Sequence, residues 1–279
     1  MADFRGIRAS TGCRKSPRTV MPDTMMVSHC PQNPTLTIRA KLFPIVAITV
    51  ALVVIPSVTR ADECPTTPNL PSSDGSQPAN LGALKLQLLD YKCFGAYDRD
   101  VANVLAEAKA YLEYRANGVG KLALVLDIDE TSLSNLPGLL ADDFGFFRGG
   151  SCTLVPGEPC GFDRWIADHT AEPILPTLDL FNAAKAKGVA VFFVSTRRED
   201  QRAATVNNLK AVGYEGWADL ILKQPGDTSS AQEFKTTGRR QIESLGFTII
   251  ANVGDQYSDL RGGHAERVFK VPNPFYFIP

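Results

Sequence analysis

One stretch restricts the possible folds of this chain more than any other: an apolar run that ends in acidic residues. Leu122–Leu126 is apolar at every position, which predicts a strand buried on both faces, as in a parallel sheet. Asp127 and Asp129 follow at once, and a period of two places both side chains on one side as the chain leaves the strand. Because ligands bind at the carboxyl ends of strands in open α/β sheets, this stretch predicts an acidic site at that edge.

A second acidic pair follows another apolar run. Phe247–Asn252 is predicted as a strand, and Asp255 and Asp259 lie shortly after it. Acidic residues commonly cap helix N-termini, which explains one such pair but not two in the same position after a buried strand. Carboxylates beside a buried strand need a cationic partner or a chemical role. The two pairs are therefore candidates for one functional site.

The rest of the chain alternates between strand and helix patterns. The further predicted strands are Val189–Val194, Asp219–Leu222 and Arg267–Val271. The predicted helices are Leu81–Cys93, Tyr97–Asn117, Thr177–Ala186, Gln201–Gly213 and Glu233–Gly246. Alternation of this kind predicts an α/β fold with a parallel sheet, right-handed crossovers and helices on both faces.

The segment between the first acidic pair and the next helix has no clean periodicity. Leu136–Pro173 leaves the carboxyl edge of the first strand, so we expect it to form a small cap insertion over the site. Two interpretations of its aromatic residues are open: a small core under the cap, or contacts with the leaving group of a substrate. The residues concerned are Phe144, Phe146, Phe147 and Trp165.

Taken together, the acidic motifs resemble the haloacid dehalogenase (HAD) superfamily of phosphohydrolases. The residues that carry the resemblance are Asp127-x-Asp129-x-Thr131 and Gly254-Asp255-x-x-x-Asp259. The wider pattern, with DIDETSLSNLP, FK…GRR, GDQYSDL and VPNPFY, is similar to the secreted acid phosphatase branch, which contains plant vegetative storage protein phosphatases and bacterial class C acid phosphatases. The resemblance extends from about Tyr91 to the C-terminus and implies a HAD-like Rossmannoid sheet.

The resemblance implies catalytic roles for the first acidic pair. Asp127 would attack phosphorus and form an aspartyl phosphate. Asp129 would donate a proton to the leaving oxygen and later take one from water, which requires a raised pKa that the neighbouring acids favour. The implied cofactor is Mg²⁺, with ligands from the side chains of Asp127 and Asp255 and the backbone carbonyl of Asp129. Asp259 would act through water or hydrogen bonds.

Phosphate binding needs hydroxyl and cationic groups. Ser195 and Thr196 come directly after the second predicted strand and Thr131 follows the first acidic pair, so these hydroxyls are candidate substrate ligands. Two lysines lie at the correct edge, Lys223 after a strand and Lys235 in a helix. The resemblance at FK…GRR favours Lys235 as the lysine that pairs with the nucleophile, and Lys223 remains the alternative.

Other polar residues near these motifs have simpler interpretations. For Arg197 and Arg198 two roles are open: binding substrate phosphate, or pairing with Glu199. We expect His264 at the surface. Asn273 lies between two prolines and is interpreted as turn geometry.

The N-terminal part of the chain is expected to be processed. The apolar stretch Leu42–Pro56 follows a lysine and precedes a small-x-small cleavage site at Thr59-Arg60-Ala61, which is the pattern of a secretory signal peptide. A transmembrane helix is the weaker alternative for this stretch, because a helix needs about 20 apolar residues to span a bilayer. We therefore expect residues 1–61 to be an N-terminal extension with a signal peptide, 62–80 a flexible Pro/Ser-rich leader, and 81–279 the phosphatase domain. The initiating methionine stays open.

Removal of residues 1–61 would leave an acidic chain. That segment holds 8 of the 29 Lys/Arg and 2 of the 30 Asp/Glu. The remainder therefore has 21 Lys/Arg and 28 Asp/Glu, which gives a net charge of −7. Such a chain is a poor electrostatic partner for nucleic acid, and local cations must hold an anionic substrate.

Six cysteines become four after such cleavage, and an even number in an exported chain indicates disulfides. Of the three possible pairings we favour Cys152–Cys160, across a short Pro/Gly loop, together with Cys64–Cys93 at the N-terminal tail. A structural metal site is disfavoured because these cysteines lack CxxC spacing and nearby histidines.

The sequence thus predicts an exported, Mg²⁺-dependent acid phosphatase that hydrolyses small phosphomonoesters, secreted or periplasmic and without a stable membrane anchor after signal cleavage. The alternative is a storage or binding protein on the HAD fold, since a fold alone does not establish activity. Dehalogenation by a nucleophilic aspartate is a third hypothesis. Asp129 and the second acidic pair count against it, because a dehalogenase needs neither an acid for a leaving oxygen nor a metal.

Overall fold

Five parallel strands form the centre of the part of the chain that the structure describes. The structure is a computed structural model, and it describes residues 79–150 and 160–279. The five strands of this sheet are β1 (Lys121–Leu126), β4 (Ala190–Arg198), β5 (Asp219–Lys223), β6 (Phe247–Gly254) and β7 (Arg267–Lys270). Two short strands lie outside it, β2 (Leu133–Ser134) and β3 (Glu172–Pro173). The large sheet has the order β5-β4-β1-β6-β7, and β2 pairs with β3 separately. The predicted α/β fold with a parallel sheet is confirmed.

β1 lies in the middle of the sheet because apolar layers cover both of its faces. Leu124 and Leu126 belong to one buried cluster, and Ala123 and Val125 belong to a second. The side chains therefore alternate between two cores although the sequence is apolar throughout. β1 pairs in parallel with β4 on one side and with β6 on the other, so the carboxyl ends of these three strands meet at one edge.

Helices cover the sheet, and their first turns follow local sequence signals. They are α1 (Leu81–Cys93), α2 (Ala96–Arg115), α3 (Leu136–Ala141), α4 (Phe162–Asp168), α5 (Leu175–Ala186), α6 (Arg202–Ala211), α7 (Ala231–Ser244) and α8 (Tyr257–Leu260). Asn80 caps α1 by accepting a hydrogen bond from the Ala83 N–H (3.2 Å). Ser230 caps α7 in a capping box with Glu233. The five predicted helices are present, with ends that differ by no more than a few residues.

Two strands continue two or more residues past their predicted ends. β4 continues past the predicted end at Val194 to Arg198, and β6 continues past Asn252 to Gly254. Polar residues fit at the end of β4 because β5 pairs beside it as far as Arg198. Ser195 and Thr196 consequently lie inside a strand near its carboxyl end, not after it.

The predicted cap insertion begins and ends near a small antiparallel pair. β2 precedes the insertion and β3 closes it, so their pairing brings both ends of the segment together. α3 and α4 lie between them. Residues 151–159 of the insertion are outside the described ranges.

The aromatic residues of the cap divide between the two interpretations. Phe144 stacks on Phe275 with ring centroids 6.1 Å apart, and Trp165 packs against the main core. Phe146 and Phe147 remain 70% and 45% exposed. A core under the cap explains the first two aromatic residues, and the last two have the exposure that a substrate contact requires.

Some predictions concern residues that the structure does not describe. Residues 1–61 and all but the last two residues of the 62–80 leader lie outside the described ranges, as do Cys64 and Cys152. Cys93 and Cys160 are each disulfide-bonded, and the two pairings remain predictions. Among the described residues, the helices are too short or too polar for any of them to cross a membrane.

Candidate active site

Three aspartates converge where β1 and β6 end. One carboxylate oxygen from each of Asp127, Asp255 and Asp259 lies within 4.8 Å of the other two, and all three residues are buried. Asp127 follows β1 and Asp255 follows β6, so two adjacent parallel strands bring them together. Asp259 lies in the first turn of α8, where its carboxylate accepts a hydrogen bond from the Gln256 N–H (2.9 Å). We call these three residues the aspartate cluster.

Gly254 allows the cluster to close. A Cβ at this position would collide with the Cβ and carboxylate of Asp259. Any side chain would therefore separate α8 from the end of β6, and the glycine before Asp255 has a steric role here.

Lys235 supplies positive charge to the aspartate cluster. Its Nζ, projecting from α7, forms ion pairs with Asp127 and with Asp259 (2.9 Å). Lys223 instead donates a hydrogen bond to the backbone carbonyl of Ser229. Of the two candidate lysines, Lys235 is the one that contacts the aspartates.

The aspartate cluster carries more negative charge than Lys235 neutralises. Burial raises the pKa of Asp127 well above its ordinary value; Lys235 opposes this shift, and the acids around it add to it. Burial, followed by the charge of Asp259, raises the pKa of Asp255 to about 7. Burial lowers the pKa of Lys235, but the carboxylates beside it outweigh burial and the net shift is upward. Three carboxylates face one ammonium group, so protons or a cation must balance the remaining charge.

The donor set of the cluster fits a hard divalent cation. All three side chains offer carboxylate oxygen, the ligand type that Mg²⁺ and Ca²⁺ prefer. Three negative charges less the one positive charge of Lys235 leave two, which matches a divalent ion. In residues 79–150 and 160–279, this is the one group of three or more His, Cys, Asp or Glu with ligand spacing.

Asp129 lies outside the aspartate cluster and pairs with Arg197. Arg197 Nη2 lies 2.7 Å from Asp129 Oδ1, and Asn135 Nδ2 donates to the same oxygen (2.8 Å). Burial alone would raise the pKa of Asp129, but the charge and hydrogen bonds of Arg197, with the hydrogen bond from Asn135, lower it overall. The prediction of a raised pKa is therefore wrong for this arrangement, because a guanidinium dominates the surroundings of this carboxyl.

Arg198, the next residue after Arg197, has a different partner. Glu199 forms an ion pair with Arg202 rather than with Arg197 or Arg198. Arg198 forms an ion pair with Asp163 of α4 (3.0 Å). This pair joins the cap to the end of β4. Of the two alternatives for these arginines, pairing with Glu199 is therefore wrong, and phosphate binding stays a prediction.

The predicted hydroxyl ligands lie in different surroundings. Thr131 is fully buried, and its hydroxyl donates to Asp255 Oδ1 (3.2 Å). Ser195 is buried and its hydroxyl accepts a hydrogen bond from the Arg197 N–H (3.2 Å), while Thr196 is half-buried. Thr131 thus orients a carboxylate of the cluster, and the other two hydroxyls lie near the carboxyl end of β4.

Sequence reasoning missed the role of Asn273. Its Nδ2 donates to Asp255 Oδ2 (2.7 Å), while its Oδ1 accepts a hydrogen bond from the Phe275 N–H (2.9 Å). The turn interpretation is right for the second contact and incomplete, because the same side chain reaches the cluster. The available signal was an amide between two prolines in an otherwise apolar C-terminal segment.

Glu130 was also missed. It is buried with a positive φ of 54°, and it accepts hydrogen bonds from the Asn135 N–H (2.5 Å) and the Tyr276 hydroxyl (2.8 Å). Burial and the charge of Asp129 raise its pKa to about 7. The sequence could not distinguish Glu130 from the acids beside it, because its burial depends on the tertiary fold and not on the local sequence.

The fold is an α/β fold with a parallel sheet, and a buried aspartate follows its central strand. A lysine contacts this aspartate, and a second acidic pair follows the adjacent strand β6. These features together define a HAD-type fold and site. The chain belongs to the HAD superfamily, subfamily IIIB (acid phosphatase), whose family model matches residues 82–279. The resemblance inferred from the motifs is confirmed.

Similar proteins occur in plants. The chain is 33% identical over 192 residues to acid phosphatase 1 of Solanum lycopersicum, covering 68% of this chain and 72% of that protein. It is 38% identical over 162 residues to the stem 28 kDa glycoprotein of Glycine max, covering 57% of this chain and 61% of that protein. It is 34% identical over 156 residues to vegetative storage protein 1 of Arabidopsis thaliana, covering 56% of this chain and 55% of that protein. The chain thus spans less than two thirds of the latter two.

A bacterial structure shares the fold. The class C acid phosphatase from Bacillus anthracis superposes with a TM-score of 0.55 and 25% sequence identity, covering 70% of this chain and 86% of that chain.

The raised pKa values predict how the metal-free protein responds to pH. The pKa values of Asp255 and Glu130 rise from 3.8 and 4.5 to about 7, so the folded protein binds more protons than the unfolded chain between these limits. Stability from these groups is present at the acidic end of that window and is lost as pH rises through it. We expect the melting temperature to fall by several degrees from about pH 5 to about pH 7.5, since about 1 kcal/mol corresponds to about 2–4 °C at this size.

Mg²⁺ should offset that loss in the same thermal unfolding experiment. It should raise the melting temperature more at about pH 7.5 than at about pH 5, because protons compete for the same carboxylates at lower pH. Asp255→Asn is the matched variant, and it should weaken both the pH dependence and the effect of Mg²⁺. A metal-free melting temperature that stays constant or rises over this range would contradict the electrostatic description.

Proposed function

We propose that the protein is an exported phosphomonoesterase that hydrolyses small phosphomonoesters through an aspartyl phosphate on Asp127, with Mg²⁺ as cofactor. The observation that supports it most is the position of Asp127 after β1, in contact with Lys235 and within 4.8 Å of Asp255 and Asp259. An anionic nucleophile reaches a phosphate only where positive charge is held beside both. Lys235 supplies part of that charge, and a divalent cation at the aspartate cluster would supply the rest.

In the first step, an Asp127 carboxylate oxygen forms a bond to phosphorus and the bond from phosphorus to the leaving oxygen breaks. Lys235 neutralises charge on the nucleophile and on the phosphoryl group. Ser195 and Thr196, near the end of β4, donate hydrogen bonds to phosphoryl oxygens. Thr131 contributes indirectly, because its hydroxyl orients Asp255.

Asp129 moves the proton in both steps. It donates a proton to the leaving oxygen, and it then takes one from the water that attacks phosphorus. That attack breaks the bond between Asp127 and phosphorus and releases inorganic phosphate. The ion pair with Arg197 favours ionised Asp129, which is the form that takes the proton from water. In the first step the carboxyl carries its proton against that preference.

The chain's own residues set the place of the cation. Mg²⁺, when bound, would neutralise charge that develops on the phosphoryl oxygens. The side chains of Asp127 and Asp255 and the backbone carbonyl of Asp129 would hold it, with Asp259 acting through hydrogen bonds and through its ion pair with Lys235. Asp127 therefore serves both as nucleophile and as ligand.

Export is the second part of the proposal. Residues 1–61 would be removed at a signal cleavage site, residues 62–80 would form a leader, and the protein would be secreted or periplasmic without a stable membrane anchor. Disulfides Cys64–Cys93 and Cys152–Cys160 would form in that oxidising compartment. Support comes from the N-terminal pattern and from similarity to a plant protein named as a glycoprotein. An acidic exported chain is not expected to bind nucleic acid.

A storage role is the second candidate function. Two of the similar proteins are named vegetative storage proteins 1 and 2 of Arabidopsis thaliana. A protein kept only for storage has no need of the ion pair between Asp127 and Lys235 at the cluster, so its presence favours the enzyme.

Turnover of a panel of phosphomonoesters and halo-acids, with and without a chelator, tests the proposed function. We expect hydrolysis of several phosphomonoesters, loss of that activity with the chelator, and recovery with excess Mg²⁺. A folded protein that hydrolyses none of the esters at any Mg²⁺ concentration would favour storage. Turnover of halo-acids alone would favour dehalogenation.

A further inference from the structure

The segment after β7 passes over the acidic edge of the sheet. We call residues 271–278 the C-terminal strap. The Val271 N–H donates to the carbonyl of Gly254 (3.0 Å), so the strap continues from the pairing of β7 with β6. Phe275 is buried, and its ring lies 5.1 Å from the ring of Tyr97 in α2. Backbone pairing and apolar packing therefore hold the strap in place.

The strap touches the aspartate cluster through Asn273. Asp255 Oδ2 accepts hydrogen bonds from Asn273 Nδ2 and from Gln256 Nε2, each at 2.7 Å. Asp255 Oδ1 accepts one from the Thr131 hydroxyl (3.2 Å). The strap also holds the glutamine, because the Ile278 N–H donates to Gln256 Oε1 (3.1 Å). Two of the three donors to this carboxylate are thus a strap residue and a residue bound by the strap.

The strap also contacts the loop that follows β1. The Tyr276 hydroxyl donates to Glu130 Oε2 (2.8 Å), and Glu130 Oε1 accepts from the Asn135 N–H (2.5 Å). Glu130 has a positive φ and stands directly after Asp129, so its backbone geometry sets the direction in which the chain leaves Asp129. The strap therefore contacts Asp255 of the second acidic pair and Glu130 in the loop that carries the first pair.

We propose that the C-terminal strap is a positioning element of the active site, in which Asn273 orients Asp255 toward a divalent cation and Tyr276 holds the loop that carries Asp129. This inference rests on the proposed function, since it takes Asp255 as a cation ligand. Hydrogen bonds that fix a ligating carboxylate before binding raise metal affinity, because less freedom is lost when the ion binds.

Asn273→Asp separates positioning from turn formation. The aspartate keeps an oxygen that accepts from the Phe275 N–H, so the turn is retained, but it has no donor for Asp255. We expect Mg²⁺ affinity, measured by calorimetry on the substrate-free protein, to fall about 10–100-fold. Asn117→Asp is the matched control, because Asn117 is exposed and precedes β1 at the opposite edge of the sheet. Asn273→Ser is measured beside it, because the new carboxylate of Asn273→Asp adds negative charge next to Asp255. The serine variant should show the same loss of affinity without that charge, and it carries the test alone if Asn273→Asp does not fold.

Each outcome decides between positioning and its alternatives. A wild-type protein that binds Mg²⁺ together with an Asn273 variant that binds it equally well overturns this inference and leaves the proposed function in place. A wild-type protein that binds no divalent cation overturns the cation site itself, and the inference with it. An equal loss of affinity in Asn117→Asp would show a general effect of the substitution and would also overturn the inference.

Discussion

Asp127→Asn is expected to abolish turnover and to leave the fold intact. Asparagine keeps the volume of the side chain and loses the attacking oxygen, so kcat should fall by at least about 10⁴-fold, the scale seen when a covalent nucleophile is removed. The fold should tolerate the change, because burial and the neighbouring acids already disfavour a charge on Asp127. The measurement is phosphomonoester turnover at saturating Mg²⁺, with thermal unfolding of the same samples.

Asp219→Asn is the matched control for this substitution. Asp219 is exposed at the start of β5, at the edge of the sheet opposite the cluster. Its variant should keep the activity of the wild type. Near-normal turnover in purified, folded Asp127→Asn would remove Asp127 from the role of nucleophile.

Asp129→Asn and Asp255→Asn are expected to fail in different ways. Asp255→Asn removes one charge from an all-carboxylate site, so Mg²⁺ affinity should fall and excess Mg²⁺ should partly restore the rate. Asp129→Asn keeps its backbone carbonyl, so Mg²⁺ affinity should change little. The Asp129 variant loses protonation of the leaving group, typically worth about 10²–10⁴-fold in rate. That deficit should shrink for esters of acidic phenols, whose oxygens leave without a proton.

Rates of both variants across Mg²⁺ concentration and leaving-group pKa separate the two roles. If excess Mg²⁺ rescues Asp129→Asn and does not rescue Asp255→Asn, the roles are reversed. The ion pair with Arg197 adds one expectation, since Asp129→Asn also leaves a buried guanidinium without its carboxylate. Its melting temperature should therefore fall by more than that of Asp127→Asn.

The sheet and the convergence of Asp127 with the second acidic pair were predictable from the sequence. Each depends on a local pattern: the apolar run Leu122–Leu126 indicates a strand covered on both faces, and acids after parallel strands meet at one edge. Helix positions were predictable for the same reason, because caps and apolar spacing are local. The ends of the strands were less predictable. β4, for example, continues to Arg198 because β5 pairs beside it.

The polar partners within the site were not predictable, because they come from residues distant in the sequence. Asp129 meets Arg197 across 68 positions, and this guanidinium reverses the pKa shift expected from the neighbouring acids. Asn273 reaches Asp255 only because β7 returns the chain beside β6. A string of acids shows that a site carries charge, and the fold decides which partner each acid receives.

The formation of a phosphoryl bond on Asp127 can be measured directly. Wild-type protein mixed with a fast phosphomonoester and quenched in acid should carry one phosphoryl group on the peptide that contains Asp127, detected by mass spectrometry. Chelation before mixing, and Asp127→Asn, should each remove the label. A label on another residue, or turnover through this site in samples that never carry a phosphoryl group on Asp127, would contradict covalent catalysis by this aspartate.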